Sequence, residues 1–215
     1  MKTISVTDAV AMIPDGASLM IGGFMGVGTP ERVIDEIVRQ GKHNLTVIAN
    51  DTAVPGKGIG KLVSAGLVAK TIASHIGLNP ETQKQMIAGK MKVDLVPQGT
   101  LIERIRAGGA GLGGVLTPTG VGTVVEEGKQ RIEVNGKSYL LEMALQADFA
   151  LVHGFLADYS GNLSYALTAR NFNPVMAMAG KTTIVSVEHI VPVGLIAPDQ
   201  VVTPAPLVDY LVMNG

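Results

Sequence analysis

The sequence predicts an α/β fold, a mainly parallel sheet with flanking helices and a small β-hairpin excursion. Three observations lead there. Short runs rich in Val, Ile and Leu alternate with amphipathic segments of helical period, the pattern of successive βα units. Glycine supplies 27 of 215 residues, roughly 13% against a usual 7% or so, while aromatics supply only 4%. Such a core is built from aliphatic side chains and close backbone contacts. Residues 19–41 read as strand, glycine-rich turn and helix in direct succession. The length suits one domain over 1–215, with enough residues for one substantial core.

The elements follow in order. Val6 to Ile13 has a helical pattern, with Thr7 as its cap and Pro14-Asp15-Gly16 as its stop. Leu19-Met20-Ile21 is a buried strand that breaks into Gly22-Gly23-Phe24-Met25-Gly26-Val27-Gly28. Thr29 is the expected N-cap and Pro30 the first helical residue, where its missing N–H costs nothing. Val33, Ile34, Ile37 and Val38 form one apolar face, and Gly41 ends the helix. Leu45 to Ala49 is the second strand, followed by a polar turn at Asn50-Asp51-Thr52. Ala69 to Ala73 and Val93 to Val96 are the next two strands, separated by a helix that Pro80 opens and Gly89 closes.

Beyond Pro97 the pattern changes. Thr100 and Glu103 fit the S/T-x-x-E capping box, which predicts a short helix from Thr100 to Ala107. Gly108 to Gly114 is expected to form a mobile loop. Gln130 to Val134, Asn135-Gly136 and Lys137 to Leu141 predict a hairpin with a type I′ turn. Phe149 to His153 and Thr182 to Val187 are further buried strands, and Pro206 to Met213 is expected to close the chain as a helix.

Composition narrows the function. Lys+Arg 17 against Asp+Glu 18 leaves no basic footprint for nucleic acid and no polybasic membrane patch. Without cysteine there are no disulfides, thiolate metal sites or cysteine nucleophile. His43, His75, His153 and His189 lack metal-ligand spacing, so no metal site is expected, and each reads as a satisfied single histidine. The first residues lack a signal-type apolar stretch, and the expectation is a cytoplasmic protein. With 47% apolar and 16% charged residues, part of the surface is expected to lie under another subunit.

The turn from Gly22 to Thr29 admits two readings: close βα packing, or a ligand cradle with N–H groups aimed outward. It is neither G-x-G-x-x-G nor a Walker A loop, and Gly56-Lys57-Gly58-Ile59-Gly60-Lys61-Leu62 also fails the latter. Gln98 follows a buried strand and precedes a helix, so its side-chain NH2 is placed either to donate to a developing oxyanion or to tie down its own loop. Glu103 has the capping task, and Asp51 suits an Asx-turn or a ligand contact. Glu126 and Glu127 read as a solvated pair. No G-x-S-x-G elbow or other nucleophile setting occurs.

Asp15-Gly16, Leu19 to Phe24 with Gly28 and Pro30, Asn50-Asp51-Thr52, Pro97 to Leu101, Glu103 to Gly109, Thr117 to Gly120 and Ala169-Arg170-Asn171-Phe172-Asn173 together resemble the family I coenzyme A transferases. The resemblance spans essentially the whole chain and is strongest to alpha (A) subunits of the acetate or butyrate–acetoacetate type. One departure is Ala205, where relatives usually carry glycine. The resemblance implies the CoA-transferase fold, shared with sugar-phosphate isomerases, and a ping-pong exchange of CoA between short-chain acids. The nucleophile it implies is a glutamate in a Ser-Glu-Asn-Gly motif of a beta subunit, a tetrapeptide absent here. A heterodimer or α2β2 heterotetramer is then expected, with CoA or acyl-CoA as substrate and no permanently bound cofactor. Carried over by position, Gly22, Gly23, Phe24, Met25, Gly26, Val27, Gly28 and Thr29 form the CoA-contacting turn, Gln98 lies in the oxyanion hole, and Asn50 and Asp51 line the same cleft. The competing readings are a scaffolding subunit that contributes no group to the chemistry and a sugar-phosphate isomerase-like protein.

Overall fold

The computed structural model describes residues 2–213. Strand β1 (Lys2–Thr3) leads to helix α1 (Val6–Ala11), β2 (Ser18–Ile21), α2 (Glu31–Gln40), β3 (Leu45–Asp51), α3 (Ile59–Ser64), β4 (Val68–His75), α4 (Pro80–Ile87), β5 (Lys92–Leu95) and α5 (Gln98–Gly109). Then come β6 (Gly114–Thr117), β7 (Arg131–Val134), β8 (Lys137–Met143), β9 (Ala147–Asp158), β10 (Leu163–Ser164), α6 (Asn173–Ala177), β11 (Gly180–Val191) and β12 (Tyr210–Met213). The main sheet has the order β1-β12-β11-β9-β2-β3-β4-β5, parallel at each of these pairings, with β10 antiparallel on β9. Strands β6, β8 and β7 form a separate antiparallel sheet.

Side chains alternate across the main sheet, as the period of a strand requires. Leu19, Ile21, Val47 and Leu151 join α1, α2 and α3 in one core, while Met20, Ile48, Ala150 and Val152 join α5 and α6 in the other. The result is three layers, helix on sheet on helix. From β2 the chain builds outward through β3, β4 and β5, and later fills the opposite side through β9, β11 and β12. The sheet therefore reverses its direction of growth beside β2, and such reversals open a crevice at the carboxyl ends of the strands.

Most sequence-derived elements are present, and the differences have local causes. Ser5, not Thr7, caps α1, its hydroxyl accepting from the Asp8 N–H at 3.0 Å. Helix α2 has Pro30 at its cap position with no side-chain cap bond, so Thr29 is not the N-cap. Asn50 and Asp51 belong to β3, which keeps pairing with β4 up to Asp51 opposite His75, in place of the expected polar turn. Helix α3 starts within the 56–62 segment, with Gly58 at its cap position and no side-chain cap bond to mark it in the sequence.

The Thr100–Glu103 capping box does not form. Helix α5 begins at Gln98, which puts Thr100 inside its first turn with a buried, unpartnered Oγ1 and leaves Glu103 bonded to Arg106 at 3.0 Å. Of the expected glycine loop, Gly108 and Gly109 complete α5 and Gly114 opens β6. The hairpin predicted over 130–141 forms, its second strand running two residues further to Met143, with Asn135 and Gly136 at φ 50° and 72° and Val134 opposite Lys137. The C-terminal helix does not exist. Residues Tyr210–Met213 instead enter the sheet between β1 and β11, a short apolar run whose period alone does not separate strand from helix.

Candidate functional site

A cleft of about 400 Å³ opens at the carboxyl ends of β2, β3 and β4. Phe24, Met25, Asn50, Asp51, Ser74, His75, Leu78 and Gln98 line it. Four of these are sequence-predicted turn or cleft residues brought together from distant positions, and Gln98 joins them at the first residue of the 12-residue α5. The opening N–H groups of a helix lack intrahelical partners and carry partial positive charge, so this end of α5 favours an anion.

The turn after β2 is more closed than its glycine content suggests. Gly22 N–H donates to Leu151 O, Gly23 N–H to Asn171 Oδ1, and Phe24 and Val27 exchange backbone bonds at 3.0 and 2.9 Å. Met25, in the left-handed region at φ 51°, donates its N–H to Asp51 Oδ2 at 2.9 Å. Most of the donors expected to face outward are therefore spent inside the protein. What the turn presents to the cleft is Phe24 and Met25.

Its glycines serve close approach. A Cβ on Gly22 would lie 1.8 Å from Asn173 Oδ1, and one on Gly28 2.7 Å from Ala169 O. Asn171 Nδ2 donates to Val27 O at 2.9 Å, and Asn173 Nδ2 donates to Gly28 O at 2.9 Å. The Ala169–Asn173 motif is thus a brace for the turn. Thr29, buried, packs its hydroxyl under Gly23, where a Cβ would meet Oγ1 at 2.1 Å. Gly22, Gly23, Gly28 and Thr29 shape the turn from behind, and Gly26 lies against the Lys57 side chain.

The polar side of the cleft is a chain of hydrogen bonds. Gln98 Nε2 donates to Asn50 Oδ1 at 2.6 Å, and Asn50 Nδ2 donates to Asp51 Oδ2 at 2.7 Å. Asp51 Oδ1 accepts from Ala53 N–H at 2.7 Å, so the Asx-turn expected from its sequence is present in addition to its contact with the glycine turn. Ser74 Oγ lies 2.7 Å from Asn50 O and 3.0 Å from Asn50 Oδ1. Asn50 and Asp51 are both buried. Asp51 is the carboxylate among the lining residues, and both of its oxygens are engaged.

Ser74, His75 and Leu78 were not singled out as site residues from sequence. The signal for them is the register, since His75 ends β4 opposite Asp51 and ligands gather at such ends. No group of His, Asp and Glu suited to a metal occurs among the described residues. The strongly shifted acids lie elsewhere. The Ser18 hydroxyl and N–H, with Lys181, hold Asp148 at about 2. Burial pushes Tyr165 up to about 12, with its hydroxyl 2.7 Å from Thr203 Oγ1.

Fold and cleft define a three-layer α/β protein with oriented amide donors at a sheet crevice, whose lining carboxylate, Asp51, has both oxygens engaged. The sequence profile of the coenzyme A transferases matches residues 3–214. The chain belongs to the coenzyme A transferase family. It is 53% identical over 213 residues to an acetate CoA-transferase subunit alpha of Escherichia coli K12, covering 99% of this chain and 97% of that one. It is 50% identical over 211 residues to an acetoacetyl-CoA:acetate/butyrate CoA transferase alpha subunit of Clostridium acetobutylicum, covering 98% and 97%. The crystal structure of an acyl-CoA transferase from Escherichia coli O157:H7, in a thioester complex with CoA, superimposes with a TM-score of 0.87 at 25% identity, over 99% of this chain and 47% of that chain. This chain thus spans about half of that larger transferase and nearly all of its alpha-subunit relatives. The relatives favour CoA transfer over the isomerase and pure scaffold readings.

Proposed function

We propose that this chain is one half of a short-chain acyl-CoA:carboxylate CoA-transferase, acting on acids of the acetate, butyrate and acetoacetate class. In this reading 1–215 is a single alpha-subunit domain that works with a beta subunit in a heterodimer or α2β2 heterotetramer. The beta subunit's glutamate, in a Ser-Glu-Asn-Gly motif, is the nucleophile. One observation carries the proposal. The cleft holds an oriented amide donor, Gln98, yet its one lining carboxylate, Asp51, accepts from three N–H donors and is unavailable for attack.

The chemistry then divides between the chains. The partner's glutamate attacks the thioester carbonyl and CoA thiolate departs, leaving a mixed anhydride. The thiolate attacks the glutamyl carbonyl of that anhydride, releases the first acid, and leaves a glutamyl-CoA thioester. The second acid reverses these steps. Each addition places negative charge on a carbonyl oxygen, and Gln98 Nε2 donates its second N–H to that oxygen beside the positive end of α5. Gly22 to Thr29, through Phe24 and Met25, forms a wall for CoA, while Asn50 and Asp51 line the acid end. One thioester replaces another, so no ATP and no permanently bound cofactor are required.

Co-expression of this chain with a Ser-Glu-Asn-Gly partner tests the reading. The complex is expected to transfer CoA from acetoacetyl-CoA to acetate, and each chain alone to be inactive. Borohydride added after acyl-CoA should reduce the thioester and inactivate the partner chain. Transfer by this chain alone, or capture on this chain, would overturn the proposal.

A further inference from the structure

Two amides in the cleft, Asn50 and Gln98, each have an acceptor end and a donor end, and which end faces which way decides what Gln98 offers the substrate. The direction originates at Asp51. Its carboxylate can only accept, and its Oδ2 lies 2.7 Å from Asn50 Nδ2. The flipped amide would place two acceptors at that distance. With Nδ2 committed to Asp51, Asn50 turns Oδ1 toward Gln98 and toward the Ser74 hydroxyl, 3.0 Å away. Facing an acceptor at 2.6 Å, Gln98 must in turn present Nε2. Asn50 and Asp51 are buried, where water competes poorly and an unpaired polar group is costly.

The same Oδ2 also accepts from the Met25 N–H at 2.9 Å, at the tip of the glycine turn. Met25 is a non-glycine residue at φ 51°, a conformation kept only where its surroundings enforce it. We infer that Asp51 is a positioning residue. One of its oxygens locks the amide polarity of Asn50 and Gln98, so that Gln98 presents N–H to the cleft, and also pins the tip of the turn. The assignment builds on the proposed oxyanion role of Gln98 and gives Asp51 a task other than substrate contact.

Moving the carboxylate by one residue tests it. Asp51→Asn is nearly isosteric but gives Asn50 no fixed direction. The double variant Asn50→Asp with Asp51→Asn restores an acceptor facing Gln98. In it the amide introduced at position 51 donates to the carboxylate now at position 50, and the Met25 N–H loses its acceptor. In the full chain, the Gln98 side-chain amide resonance, identified by its loss in Gln98→Ala, is expected to move in Asp51→Asn and return in the double variant. In the reconstituted complex, Asp51→Asn is expected to lower kcat by about 10²-fold, the loss typical of one oxyanion donor. The double variant is expected to recover kcat to within about tenfold of wild type while KM for acyl-CoA stays raised, a split that general unfolding does not produce. The double variant can be read against wild type even if the single variant is unstable. An unmoved Gln98 resonance in Asp51→Asn, or a double variant with neither resonance nor kcat restored, would overturn the inference. If the resonance behaves as expected while Gln98→Ala leaves turnover intact, the positioning stands and the proposed catalytic role of Gln98 fails.

Discussion

Gly22 and Asn173, far apart in sequence, approach so closely that a Cβ on Gly22 would lie 1.8 Å from Asn173 Oδ1. The contact joins the turn after β2 to the start of α6. Gly22→Ala is expected to destabilise the protein by about 1–3 kcal/mol, the usual range for overpacking, lowering Tm by roughly 2–4 °C per kcal/mol. Because the collision is with a side chain, Asn173→Ala should relieve part of it. A thermal double-mutant cycle should therefore be non-additive.

Asn171 holds both arms of the turn, accepting from Gly23 N–H at 3.2 Å and donating to Val27 O at 2.9 Å. Asn171→Ala removes two braces from a segment proposed to contact CoA. The expected outcome is a KM for acyl-CoA raised more than kcat is lowered, read by steady-state kinetics of the complex. A change in kcat alone would mean that the turn does not bind CoA.

Asp158 accepts from the N–H groups of Ser160, Gly161 and Asn162 with Oδ1 and from Asn162 Nδ2 with Oδ2. Asp158→Ala leaves those donors without their acceptor in a turn where Asp158 and Gly161 are buried. A loss of about 2–4 kcal/mol is expected, since charge-assisted bonds and stranded donors both count. Urea denaturation measures it.

Asp148 links β9 to β2 and β11 through Ser18 and Lys181, and the Ser18 hydrogen bonds hold its pKa at about 2, below the ordinary carboxylate value of 3.8. A lowered folded-state pKa contributes stability above the unfolded value and loses it as pH falls toward the folded one. The window runs from about pH 4 down to about pH 2. With its side chain 42% exposed, Asp148 is partly screened, so the effect should be smaller than the shift alone implies. Asp148→Asn is expected to flatten the fall of stability across this window in urea melts at stepped pH.

The legible part of this protein was whatever local chemistry decides. Asn135-Gly136 fixed a hairpin, Gly41 closed α2 in the left-handed conformation at φ 68°, and Pro80 opened α4 beside its cap Asn79. Tertiary context decided the rest. Tyr210–Met213 became a strand because a slot between β1 and β11 was available to it, and Asn50-Asp51 stayed extended because β4 continued alongside. In the site, Gln98 and the turn are candidates that the sequence singles out, and Gln98, Phe24 and Met25 line one cleft. Their coupling through Asn50 and Asp51 could not be read from sequence, because it rests on hydrogen bonds between residues up to 48 positions apart. The glycines invited a cradle reading, but hydrogen bonds to Leu151, Asn171 and Asp51, with the Phe24–Val27 exchange, consume most of the turn's donors.

In the proposed division of labour, this chain supplies the oxyanion donor to a nucleophile carried by its partner. Gln98→Ala in the assembled complex tests it most directly. A fall in kcat of about 10²-fold or more is expected, with the complex still eluting as a single assembled species. Turnover equal to wild type in an intact complex would contradict it.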